Sequence, residues 1–287
     1  MKIDYHMHFE YFDYDLDSVK KFIETAKSRG LDEIGISEHS HTFPEFEQFY
    51  YDDLILDDSL VGNFQRRWLK RNKFKHSIEE YFEFMLKLQR ANPDFPIKIG
   101  IEVCNFKNQS AVKKILDSYD FDYIIGSIHF LDGWAFDSSE IVEEWNQRSM
   151  KWIYETYAHE VEKLASGGCY DVLGHPFNIR LFKYFPKKFD VTPYLDRVAL
   201  ALRHNHMGID VNTGTMYRYP IQEISPYPDF MQAAHEYDLP VIITSDAHQP
   251  EDVGRFNDEA RKYVKSFGYE KMLRFSKRER SFVEISD

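Results

Sequence analysis

Only two cysteines occur in the 287 residues, Cys104 and Cys169, and neither belongs to a CxxC pair. Their scarcity speaks against a disulfide framework and suits free thiols in a reducing compartment. No apolar run is long enough to cross a bilayer. Met1 leads directly into Asp4 and two histidines rather than into a charged leader with an apolar stretch. A cytoplasmic location with no membrane partner is therefore expected. Positive charge is also short, with 36 Lys and Arg against 48 Asp and Glu and a formal net charge of −12. Such a surface repels nucleic acid at long range. The one basic run, Arg66, Arg67, Lys70, Arg71, Lys73 and Lys75, reads as a solvated loop or helix face rather than a DNA track. Glycine- and serine-rich linkers, low-complexity tracts and solenoid-like repeats are missing too, so one domain over 1–287 is expected.

What the chain does hold is a series of short apolar runs that end in ligand-type side chains. The opening Asp4-Tyr5-His6-Met7-His8 alternates, so a strand here projects Asp4, His6 and His8 from one face and Ile3, Tyr5 and Met7 from the other. Imidazoles two residues apart on a strand, about 6.5–7 Å between their Cβ atoms, can close on one metal. Further runs follow at 33–39, 97–102, 123–129, 171–176, 208–213 and 241–248, and all but the run at 208–213 close on a His or Glu, at 171–176 on His175 just before Pro176.

Helical patterns separate these runs. Val19, Phe22, Ile23 and Ala26 predict a helix over 18–29, stopped by Gly30. Ser77 and Glu80 form a capping box for a helix carrying Ile78, Tyr81, Phe82, Met85 and Leu88. Ser110 is expected to cap a helix through Tyr119, and a longer helix is expected over 140–165. Thr192-Pro193 opens another, and a last one covers 229–237. The stretch 40–96 is a long insertion between the second and third strands, and its first part, 42–76, has the length of a functional lid or rim.

Strands alternating with helices predict an α/β barrel of parallel strands, whose C-terminal ends all open on one face. His6, His8, His39, Glu102, His129, His175, Asp246 and His248 then converge. Any one of them alone is more often a hydrogen-bonded core or surface residue; their repetition at strand ends is what marks a site. That is too many ligands for a single catalytic zinc, which takes about three protein ligands. Two or three metals sharing bridging carboxylates accommodate them, and imidazole-rich sites favour zinc, iron or manganese. His41, two residues after His39, is placed to line the same site.

The order HxH at His6 and His8, EH at Glu38 and His39, GxE ending in Glu102, GSxH ending in His129, GHP around His175 and SDxH ending in His248 resembles the polymerase and histidinol phosphatase (PHP) superfamily. The opening, the stand-alone length and the Gly-Ser-Ile-His and Ser-Asp-Ala-His elements are similar to its histidinol-phosphatase branch. The resemblance implies a distorted (β/α)7 TIM-like barrel with its metal site at the C-terminal strand ends. Carried over residue by residue, it makes His6, His8 and Asp246 ligands of one metal, Glu102 a bridge, His129 and His175 ligands of the second, and His39 with His248 ligands of the third. Relatives also place a His or Asp shortly after the HxH pair. No histidine is available here, and Asp13 is preferred to Asp15 for that position.

A centre whose metal charge exceeds that of its carboxylates attracts a phosphate dianion and activates water. Direct attack by a metal-bridging hydroxide, without a phosphoenzyme, is expected, with Glu102, Asp246 and His248 as catalytic residues. The resemblance points to L-histidinol phosphate as substrate, in histidine biosynthesis. Another small phosphate ester is the alternative, and a nuclease role is weaker because no basic track or appended domain is evident. Arginines beyond the strand ends are candidates to grip phosphate, in the order Arg180, Arg218 and Arg255. Nothing in the sequence sets an oligomeric state.

Overall fold

Seven strands rich in Ile and Val pair in unbroken chain order in a computed structural model, which describes residues 1–287 apart from Asn72, Lys187 and Asp287. They are β1 (Ile3–Asp4), β2 (Glu33–His39), β3 (Ile97–Cys104), β4 (Tyr123–Ser127), β5 (Val172–Leu173), β6 (Gly208–Asn212) and β7 (Val241–Thr244). Every neighbouring pair is parallel. Burial on both faces explains why these strands read as nearly continuous apolar runs rather than alternating ones. The ring closes through a parallel bridge between Met7 and Ala247, with His8 N–H donating to Ala247 O at 2.8 Å and Ala247 N–H to His6 O at 3.3 Å. The fold is thus a seven-stranded TIM-like barrel, as the sequence predicts.

Two strands are shorter than their apolar runs. β1 and β5 leave the regular ladder early, so His6, His8 and His175 sit on irregular backbone just beyond it. Inside the barrel, Gly35 and Gly100 flank the Tyr123 ring. A Cβ on either would meet that ring at 2.3 or 2.2 Å, so only glycine fits.

Helix α1 (Leu16–Ser28) buries Val19, Phe22, Ile23 and Ala26 as its spacing predicts. Short helices α2 (Glu47–Asp53) and α3 (Leu60–Leu69) lie within the insertion, followed by α4 (Ile78–Ala91), which carries the expected capping box of Ser77 and Glu80. The stretch 42–76 is consequently folded rather than structureless. It is fastened to a small hairpin (Phe130–Leu131 with Trp134–Ala135), since Ile55 N–H donates to Gly133 O at 3.0 Å and the Gln65 amide bonds both Gly133 O and Ala135 N–H.

Two helix expectations need correction. Helix α5 (Gln109–Leu116) is capped by Asn108, whose Oδ1 takes Ala111 N–H at 3.1 Å and also holds the Ser110 hydroxyl, and it ends before Tyr119. The single helix expected over 140–165 is two elements: a 3-10 stretch (Ser139–Gln147), then α6 (Met150–Ser166). The break arises because Ser149 starts a fresh helix by accepting Trp152 N–H, while the buried Trp145 indole donates to Phe136 O at 3.1 Å and packs on Trp134. Helices α7 (Thr192–His204), α8 (Thr215–Arg218), α9 (Pro228–Glu236) and α10 (Asn257–Ser266) complete the outer layer.

A C-terminal antiparallel pair, β8 (Lys271–Ser276) and β9 (Glu279–Glu284), seals the N-terminal end of the barrel. Arg274 bonds the fully buried Glu33 at 2.7 Å, Arg278 pairs with Asp171 at 2.5 Å, and Phe275 packs on the rings of Tyr5 and Tyr123. Among the described residues, no helix is long and apolar enough to cross a membrane.

Candidate metal centre

Glu102 stands at the middle of the C-terminal face. Its Oε1 lies 3.0 Å from His175 Nε2, 3.4 Å from His6 Nε2 and 3.6 Å from His129 Nε2, while its Oε2 lies 3.2 Å from His39 Nε2 and 3.9 Å from His8 Nε2. Strand register explains part of this convergence: His39 and Glu102 are direct partners between β2 and β3. Asp246 forms a second focus, 3.4 Å from His8 Nε2, 3.5 Å from His248 Nδ1 and 2.8 Å from an Arg218 guanidinium nitrogen. His175 and Asp246 both adopt left-handed backbone, with φ of 28° and 53°. Such conformations are disfavoured for residues with a Cβ and concentrate at functional sites.

A third carboxylate completes the set. Glu10 lies 3.5 Å from both His41 Nε2 and His248 Nε2 and 3.7 Å from His39 Nδ1. The sequence expectation for this place is Asp13 or Asp15; the structure brings neither to the cluster and places Glu10 there instead. Asp13 is exposed, and Asp15 is occupied as the N-cap of α1, accepting from Asp17 N–H and Ser18 N–H. Glu10 continues the two-residue spacing of His6 and His8, which is the signal that could have found it.

Charge is arranged to suit ligation. Burial pushes the Glu102 and Asp246 carboxyls up, yet His6 and His129 around the first, and Arg218 and His6 around the second, hold both well below the usual carboxylate range. Burial drives His39, His41 and His248 well below an ordinary imidazole, helped by neighbouring His8 and by Lys73 or Arg218, so these rings are neutral near pH 7. Several buried ring nitrogens, among them His6 Nε2, both nitrogens of His8, His39 Nδ1 and His175 Nδ1, have no hydrogen-bond partner among the described residues. Unpartnered buried polar atoms are costly unless something else satisfies them. Groups such as Glu102, His129 and His175, or His8, His39 and His248, bring one ligand atom each to within 4.8 Å of one another. Imidazoles and ionised carboxylates at that spacing fit divalent transition metals.

Behind the ligand set lies a supporting layer. Asp210 on β6 is fully buried, accepts Asn212 Nδ2–H at 3.0 Å and Thr244 Oγ–H at 2.5 Å, and sits 2.9 Å from His6 Nδ1. Burial opposes charge on His6, yet Glu102, Asp246 and the Asp210 bond hold its pKa well above an ordinary imidazole, so a metal binding at Nε2 would displace a proton. Cys104 Sγ stands 3.1 Å from His129 Nδ1 in the same relation.

Above this floor opens a cavity of about 240 Å³. Its wall includes His41 as expected, together with Phe64, Trp68 and Lys73 from the insertion. Lys73 was counted with a solvated basic face. Instead its ammonium turns inward, 3.1 Å from His41 Nε2 and 3.8 Å from Glu10, over the Trp68 ring. The candidate arginines separate. Arg218 lines the cavity. Arg180, preferred from sequence, is committed elsewhere: it is buried with both terminal nitrogens on Asp229, at 2.9 and 2.6 Å, and Nε on Tyr154. Arg255 pairs with Asp252 away from the cavity wall.

A closed parallel barrel with imidazoles and carboxylates gathered at its C-terminal mouth defines a metal-dependent barrel hydrolase. The chain belongs to the PHP family, since the model for the PHP domain matches residues 4–214. A probable histidinol-phosphatase of Deinococcus radiodurans is 34% identical over 196 residues, which cover 64% of this chain and 72% of that protein. The histidinol-phosphatase of Bacillus subtilis is 25% identical over 261 residues, 83% of this chain and 90% of that one. Among solved structures, a histidinol phosphate phosphatase from Lactococcus lactis, crystallised with zinc, L-histidinol and phosphate, superposes with a TM-score of 0.73 over 98% of both chains at 21% identity.

Proposed function

We propose that this protein hydrolyses L-histidinol phosphate to L-histidinol and phosphate, as a step of histidine biosynthesis. The observation that carries the reading is the ring of imidazoles around Glu102 with buried, unpartnered nitrogens. The names of its relatives supply the substrate.

We assign two to three divalent ions to the ligand groups, held by His6, His8, Glu10, His39, Glu102, His129, His175, Asp246 and His248. When bound, such ions supply Lewis acidity and lower the pKa of water. The chain's own residues do the rest. Glu102 and Asp246 stay ionised and hold the imidazoles in one arrangement. Arg218 and Lys73 line the cavity as cations placed to meet phosphate oxygens, Arg218 with the planar donor pair that matches them. Buried aromatic residues around the mouth, Phe130 and Phe64 among them, limit bulk water at the phosphorus. In the net reaction water gives its oxygen to phosphorus, the ester P–O bond breaks, and the departing alkoxide takes a proton.

Elemental analysis beside turnover of a phosphate monoester panel tests this. Two to three transition-metal ions per chain and preference for L-histidinol phosphate are expected. Full activity with one ion or fewer would overturn the metal assignment, and preference for another ester would overturn the substrate.

A further inference from the structure

Charges on the cavity wall are paired with one exception. Lys73 stands against Glu10 and His41, Arg218 against Asp246, and Glu140 against Arg71 at 2.5 Å. Asp137 lines the same cavity with neither a hydrogen bond nor an ion pair among the described residues. It lies close enough to His129, Cys104 and Tyr219 for its charge to act on each of them. Its backbone is fixed on both sides: the preceding Phe136 carbonyl accepts the Trp145 indole, and the following Ser138 hydroxyl accepts Glu140 N–H at 3.2 Å. The carboxylate is therefore held on a rigid turn at the cavity wall.

The cavity is consequently bipolar. Its cations, Lys73 and Arg218, lie beside Glu10 and Asp246 at the metal ligands, and its unbalanced anion belongs to the hairpin side. Phe64, Trp68, Phe130, Leu181 and Tyr219 line the same cavity with apolar and flat surface. A phosphate ester seated with its phosphoryl group at the metal ligands must send its alcohol portion toward this wall. We infer that Asp137 is a specificity-determining residue that binds the ammonium group on the alcohol portion of the substrate. This deepens the proposed function and rests on it. The same carboxylate repels substrates with further anionic groups, such as nucleotides and sugar bisphosphates.

The test compares kcat/KM for two matched pairs on the metal-loaded enzyme: L-histidinol phosphate with its desamino analogue, and phosphoethanolamine with ethyl phosphate. Wild type should favour the amine in both pairs. In Asp137→Asn the amine preference should fall about 10- to 100-fold, the scale of one charge-assisted hydrogen bond. In Asp137→Lys it should invert. If wild type prefers the amine and Asp137→Asn keeps the whole preference, Asp137 is not the reader although the substrate reading stands. If wild type shows no amine preference, the inference fails. If phosphoethanolamine is preferred over ethyl phosphate but L-histidinol phosphate is a poor substrate, the substrate reading fails while the role of Asp137 survives. Thermal melting of both variants separates a folding defect from a change in selectivity.

Discussion

At the scale of single residues, Glu102 carries the greatest consequence because five imidazoles face its two oxygens. Glu102→Gln should lower kcat by at least about 10³, the scale of losing a principal electrostatic stabiliser, and should release metal. A variant within tenfold of wild type in steady-state assays would make Glu102 structural. Asp210 acts one bond further out. Asp210→Asn should weaken metal binding by about 10- to 100-fold, read by competition with a chromophoric chelator. The two arginines should part company. Arg218→Ala should lower kcat/KM by about 10–10³, whereas Arg180→Ala should retain kcat/KM and cost about 1–2 kcal/mol of stability, since its partner Asp229 is partly solvated. The strand-end histidines were legible because each closes an apolar run. Glu10 and Lys73 were not, since one heads an acidic stretch and the other lies in a basic one, and composition there speaks for solvent. Asp210 was hidden differently: it lies within its strand, where only the three-dimensional partner His6 reveals its use.

Whole elements were readable wherever period and caps agreed, as in α1 and α4. The split between the 3-10 stretch and α6 was not, because periodicity continues across a break set by the tertiary contacts of Trp145. The stretch 42–76 contributes Phe64, Trp68 and Lys73 to the cavity wall, and its helices are held by bonds from Gln65 to a hairpin distant in sequence, which no local pattern announces. The strands β8 and β9 went unread, since their outer faces are polar and their purpose is to cover the barrel's lower end. Their anchoring is testable. Arg274→Ala strips a cation from the buried Glu33 carboxylate and should cost about 1–3 kcal/mol in denaturant unfolding, discounted for the partial exposure of Arg274, while leaving metal content unchanged.

Over the whole molecule, the acidic surface and the few cations inside the cavity oppose one another. A net charge of −12 would turn a phosphate away, so affinity must come from the metal ligands and the few cations inside. Because the ligands come from strands around the entire ring, bound metal should brace the barrel as well as serve the chemistry. Chelation should abolish turnover and lower Tm, with both recovering on adding back the ion; an unchanged melting curve would show that the metals are not coupled to the fold.

The bridge between Met7 and Ala247 has a bearing on how the protein is made. A ribosome releases His6 and His8 long before Asp246 and His248, yet these side chains share one focus. Loop closure between such distant segments comes late in folding. The nascent chain therefore cannot assemble its metal centre until Asp246 and His248 have emerged, and a product terminated before them carries His6 and His8 without the means to become a hydrolase.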